Sequence, residues 1–80
     1  MRIEFTKHAR EAIEERGISQ ELVEQTILDP DVTLPGRENK TICLKSLGNN
    51  YLKVVIVQEF ERIIVITLHW VENKRVKRYN

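Results

Sequence analysis

Three runs in the second half of this chain, Thr41 to Leu47, Tyr51 to Glu59 and Ile63 to Trp70, are rich in β-branched and apolar residues and are separated by turn-length segments. Runs this short, joined by so little chain, read as a three-stranded antiparallel meander. Register then decides which side chains share a face, because a slip of one residue turns every side chain over. A three-residue turn at Gly48-Asn49-Asn50 pairs Leu47 with Tyr51, Lys45 with Lys53, Leu44 with Val54 and Ile42 with Ile56. A three-residue turn at Phe60-Glu61-Arg62 pairs Glu59 with Ile63, Ile56 with Ile66, Val54 with Leu68 and Leu52 with Trp70. This choice gathers Ile42, Leu44, Leu52, Val54, Ile56, Ile64, Ile66, Leu68 and Trp70 on one apolar face. It sets Lys45, Lys53 and His69 in one row on the other face, with Cys43, Val55 and Thr67 in the row below. A two-residue second turn would place Lys53 against Leu68 and break the row.

Like charges facing each other on a sheet cost roughly 0.2–1 kcal/mol per pair. A chain that carries such a row has a use for it as an anion site, or lets both lysines snorkel apart into water with their stems over Val55. Both readings are open at this point.

Eighty residues make a single domain with room for one core. The apolar fraction of 41% and charged fraction of 31% are those of an ordinary globular chain, against disorder and against a membrane protein. No run approaches the ~18 apolar residues of a spanning helix, and Met1-Arg2-Ile3-Glu4 lacks a signal-peptide core, so a cytoplasmic protein is expected. One cysteine, Cys43, cannot form an internal disulfide, and with two histidines it gives no zinc spacing. Cys43 reads as a small half-buried hydrophobe. No metal and no other cofactor is expected. The net charge is +1, but residues 71–80 form a basic C-terminal segment, with Lys74, Arg75, Lys77 and Arg78 against Glu72 alone. Such an end suits phosphates or an acidic partner, and equally a solvated tail.

In the first half, Arg2 to Phe5 reads as a short strand with Ile3 and Phe5 on one side. Thr6 caps a helix that runs to about Arg16 and stops at Gly17. Its apolar stripe is Phe5, Ala9, Ala12, Ile13 and Arg16. Ser19 caps a second helix with Ile18 stapled to Val23 and an inner face of Leu22, Val23, Thr26 and Ile27, ending at Asp29-Pro30. A short strand at Val32 to Leu34, a turn at Pro35-Gly36 and a polar loop lead to Lys40. The expected fold is α+β, in the order β-α-α-β-β-β-β, with two helices on one face of a twisted antiparallel sheet. The other sheet face is left for a ligand.

His69, beside Lys53, is the leading candidate for a catalytic base, since nearby ammonium groups favour a neutral imidazole. Such a base can take the proton of a ribose 2′-hydroxyl while Lys53 and Lys45 stabilise charge on the phosphorane. A half-exposed histidine at a strand end is the plainer alternative. His8 sits at the edge of the first helix's apolar stripe, a place for an acid or base and also for an inert surface histidine. Arg16 falls within that stripe, where a cation wants a carboxylate or phosphate, unless it reaches past the helix end into water. Tyr79, between basic residues and the terminus, could stack on a base or fray.

The block Phe5-Thr6-Lys7-His8-Ala9-Arg10, then Glu15-Arg16-Gly17-Ile18-Ser19, the Asp29-Pro30 ending, Tyr51-Leu52-Lys53-Val54-Val55 and the run Ile63 to Leu68 resemble the prokaryotic family called domain of unknown function 4258. That family is similar in turn to the BrnT and RelE toxins, small ribonucleases with the same helix-helix-sheet order. The resemblance implies one RelE-like domain over residues 1–80 and a metal-independent RNA endonuclease. It implies RNA, ribosome-associated RNA included, as substrate and a cognate antitoxin as protein partner. His8 and Arg16 match the family's N-terminal His and Arg, and Arg75, Arg78 and Tyr79 match the basic-aromatic ending of the toxins. Lys45, Lys53 and His69 come from the register alone. Two departures are the near-neutral charge, where such toxins are often strongly basic, and the short tail. Two other functions fit the same fold: a non-catalytic nucleic-acid- or protein-binding module, and a homodimer that buries Val55, Val57, Ile63 and Val65 against a copy of itself.

Overall fold

The computed structural model describes residues 2–72. Its elements are β1 (Arg2–Phe5), α1 (Lys7–Arg16), α2 (Gln20–Leu28), β2 (Val32–Pro35), β3 (Lys40–Leu47), β4 (Asn50–Glu59) and β5 (Arg62–Glu72). The α+β class and the element order are those expected. The five strands form one sheet in the order β1-β5-β4-β3-β2. β1 lies parallel to β5, so the sheet is mixed rather than wholly antiparallel. The reason is topological: β1 enters at the far edge, beside the last strand, and runs the same way as its neighbour.

Both helices begin where short polar side chains can cap them. Ser19 Oγ accepts from Leu22 N at 3.1 Å and Thr6 Oγ1 from Ala9 N at 3.1 Å. Gly17 ends α1 with φ at +61°, a left-handed value that costs glycine nothing and other residues about 1 kcal/mol or more. The helices lay Ala9, Ala12, Val23 and Ile27 on the sheet, with Ile18 between them. Facing these are Cys43, Leu52, Val54, Ile56, Ile63, Val65 and Leu68, with Ile3 and Phe5 packed alongside. Thr26 is buried there with its hydroxyl satisfied, donating to Leu22 O at 2.9 Å.

Thr6 does more than cap α1. Its hydroxyl also donates to Ile66 O at 3.2 Å, and its N–H to Val65 O at 3.1 Å, tying the start of the helix to β5. Thr6→Ala is expected to cost about 1–2 kcal/mol, since both the cap and the cross-link are lost. Thr6→Ser should retain most of it. A thermal melt that ranks serine with alanine would show that the hydroxyl is not the source.

The register departs from expectation at both turns. Gly48-Asn49 is a two-residue loop, so Leu47 pairs with Asn50, Lys45 with Leu52, Leu44 with Lys53, Cys43 with Val54 and Ile42 with Val55. Gly48 takes φ at +75° and Asn49 does not go positive, the pattern of a Gly-X hairpin loop. Phe60-Glu61 is likewise a two-residue turn, pairing Glu59 with Arg62 and Ile56 with Val65. A bulge at Ile66 then absorbs one residue of β5. Beyond it Val55 meets Thr67, Val54 meets Leu68, Lys53 meets His69 and Leu52 meets Trp70, the pairs expected from the longer turn.

The corrections follow from alternation. Cys43 belongs to the core and is 3% exposed, not in a row on the open face. Burial pushes its thiol pKa up. Ile42, Leu44 and Ile64 lie on the open face, whereas Ile63 and Val65 lie in the core. The patch proposed for self-association therefore keeps Val55 and Val57 and loses Ile63 and Val65. Among the described residues no helix is long and apolar enough to cross a membrane.

Candidate anion site on the open sheet face

One cross-sheet row on the face away from the helices reads Val32, Leu44, Lys53, His69, one residue from each of β2, β3, β4 and β5. Neighbouring strands lie ~4.8 Å apart, so Lys53 has an aliphatic neighbour on one side and an imidazole on the other. The like-charge opposition expected between Lys45 and Lys53 does not occur. Leu44 replaces Lys45 beside Lys53 and is 1% exposed, although it stands apart from the main core.

Lys45 turns to the helix side. Its Nζ donates to the Asp29 carbonyl at 2.9 Å and to the Asp29 carboxylate at 3.4 Å, at the C-terminal end of α2. A cation there meets the negative end of the helix dipole. The expected row of Lys45, Lys53 and His69 is thus reduced to Lys53 and His69, and Lys45 has a structural occupation on the opposite face.

His69 is half-buried, and its pKa is lowered, first by burial, then by the charges of Lys53 and Arg16. Arg16 lies at the exposed C-terminal end of α1, and its charge still reaches His69. Among the described residues it makes no ion pair. The position of Arg16 in the apolar stripe is resolved by extension into solvent, with no carboxylate needed. His8 is exposed in the first turn of α1, at the other end of that helix. Eight residue steps of helix lead from it to Arg16, about 12 Å along the axis. Arg75, Arg78 and Tyr79 lie outside the described residues.

A concave pocket of about 100 Å³ opens beside the row. Leu34, Ile42 and Leu44 form its β2 and β3 side, and Lys53, His69, Trp70 and Val71 its β4 and β5 side. The pairs Leu34 with Ile42 and Val32 with Leu44 place β2 side chains on this same face. Sequence reasoning missed the pocket because it put Ile42 and Leu44 in the core. The signal that would have found it is Gly48-Asn49, a two-residue hairpin dipeptide that turns both over. Among the described residues no three His, Cys, Asp or Glu side chains gather in a metal-binding group.

The arrangement offers a cation and a largely neutral imidazole at the mouth of an apolar hollow. That can hold an anion and move a proton beside it. A family model for DUF4258, described as a domain of unknown function, matches residues 5–70. The chain belongs to this family. The match runs from Phe5, the last residue of β1, to Trp70 in β5 and includes Lys53 and His69, so the pair lies inside the DUF4258 domain itself. No curated protein and no solved structure matches the chain.

Proposed function

We propose that this DUF4258 domain is a metal-independent RNA endonuclease of the RelE/BrnT toxin type, working in the cytoplasm and neutralised by a cognate antitoxin. The observation that carries the reading is the His69–Lys53 pair across β4 and β5. His69, held neutral at pH 7, takes the proton of a ribose 2′-hydroxyl. The 2′-oxygen attacks its own phosphorus, Lys53 stabilises the charge that builds on the phosphorane, and the 5′-oxygen leaves with a proton from solvent. The charge of Arg16 also reaches the imidazole and favours its neutral form. The likeness of Gly17-Ile18-Ser19, Asp29-Pro30 and the basic ending with Arg75, Arg78 and Tyr79 to those toxins supports the same reading.

A second reading is a binding module without catalysis, and it is favoured by the apolar character of the open face. Val55, Val57 and Ile64 are only half-covered there. In that case the partner is a protein or a second copy, and salt separates the two readings. Nucleic-acid binding weakens steeply as salt rises, whereas apolar association holds or strengthens.

The test compares two lysines on opposite faces. Lys53→Ala is expected to weaken RNA binding and to lower the slope of log affinity against log salt by roughly one. Lys45→Ala should leave that slope unchanged and cost under about 1 kcal/mol of stability at the end of α2. Equal slopes for wild type and Lys53→Ala would remove the open face from RNA binding.

A further inference from the structure

The register puts an aliphatic hollow where two facing lysines were expected, and this changes the ligand the site fits. A site of cations alone takes any phosphate. Here Leu44, rather than a second ammonium, stands next to Lys53, and Leu34, Ile42 and Val71 continue the apolar lining. A ligand matched to both halves carries an anionic group and, attached to it, a flat apolar body.

Size narrows that body. Drug-sized ligands need pockets of roughly 300–1,000 Å³. An apolar cavity of about 150 Å³ accepts a benzene ring. A hollow of about 100 Å³ that is open to solvent on one side therefore suits one six-membered ring and is small for a fused pair.

We propose that the hollow is a base subsite for a single-stranded RNA: one unstacked pyrimidine enters between β2, β3 and β5 while an adjoining phosphate rests on Lys53 and His69. The inference builds on the ribonuclease reading and names its substrate class. A duplex cannot use the hollow, because its bases are stacked and their ring faces covered. Purines enter less readily for want of volume.

The experiment uses single-stranded oligodeoxynucleotides, which lack the 2′-hydroxyl and so bind without being cut. Oligo(dC), oligo(dA) and an abasic strand of equal length are titrated against the wild-type protein at one fixed salt concentration, and cleavage of an RNA of mixed sequence is followed in parallel. Oligo(dC) is expected to bind on the order of tenfold tighter than the abasic strand, with oligo(dA) between them. Ile42→Ser should remove most of that advantage, and Leu34→Ser, on the edge strand, provides a second variant should the first not fold. Lys53→Ala should weaken all three strands by a similar factor. Equal affinity for oligo(dC) and the abasic strand, or tighter binding of oligo(dA) than of oligo(dC), overturns the base subsite and leaves the ribonuclease reading intact if RNA is still cut. Base-dependent binding with no RNA cleavage upholds the subsite and overturns the ribonuclease reading.

Discussion

His69→Ala is expected to lower RNA cleavage at pH 7 by about 10²-fold or more, the usual contribution of a positioned general base. The substitution should leave the melting temperature close to that of wild type, since the imidazole lies on the open face and takes no part in the core. The pH profile provides a second signature. A base works in its deprotonated form, and burial, Lys53 and Arg16 all resist protonation of His69. The acidic limb of kcat/KM should therefore fall below the ordinary imidazole value of ~6.5. Lys53→Ala removes the second cause and leaves burial, the largest, in place. Its acidic limb should move up in pH, part of the way toward the ordinary value. The same group affects folding. Because protonation is resisted in the folded state, the unfolded chain binds protons more readily below pH ~6.5, and stability declines as pH falls from there through the lowered value. A rate unchanged in His69→Ala would take this residue out of the chemistry.

Leu52→Ala should give the largest loss of stability, about 2–5 kcal/mol. Leu52 is fully buried, sits in the middle of the sheet between Lys45 and Trp70, and faces the helices. A domain of this size has a total stability of only ~5–15 kcal/mol. The melting temperature should fall by roughly 10 °C or more. The cost has two parts, the transfer energy of the deleted carbons and the void left between sheet and helices. A drop of only two or three degrees would mean that the helices close onto the sheet and fill the space.

The caps show what is readable from sequence. As helix signals, Thr6, Gly17 and Ser19 act on backbone groups within a turn of themselves, so that part of their chemistry is local and their helices fall where expected. Register is another matter. β3 is apolar on both faces, with Ile42 and Leu44 on one and Cys43 and Leu47 on the other. Seeking a single uniformly apolar face therefore selected the wrong slip, and a strand of this kind cannot be aligned by pattern alone. The decisive signal was the turn, where Gly48 supplies the positive φ that a two-residue hairpin needs.

The β4–β5 pairing was legible only in part. A three-residue turn and a two-residue turn followed by a bulge at Ile66 consume the same length of chain, so they agree beyond the bulge and disagree before it. Lys53 and His69 lie beyond it and were placed together correctly. Ile63 and Val65 lie before it and were placed on the wrong face. The bulge itself has no glycine to announce it, and the Thr6 contact that accompanies it comes from a distant part of the chain. For Arg16 the helical stripe gave its direction and left two outcomes open, a partner or extension past the helix end, and its exposure selects the second.

The contact between Thr6 and Ile66 spans sixty residues of chain. The hairpins β3–β4 and β4–β5 close over two residues each, whereas among the described residues β1 has no partner strand other than β5. During synthesis, then, β1 waits for its partner until β5 has been added. Until that moment Ile3 and Phe5 lack the strand they pair with, and the sheet acquires β1 only when two segments far apart in sequence meet.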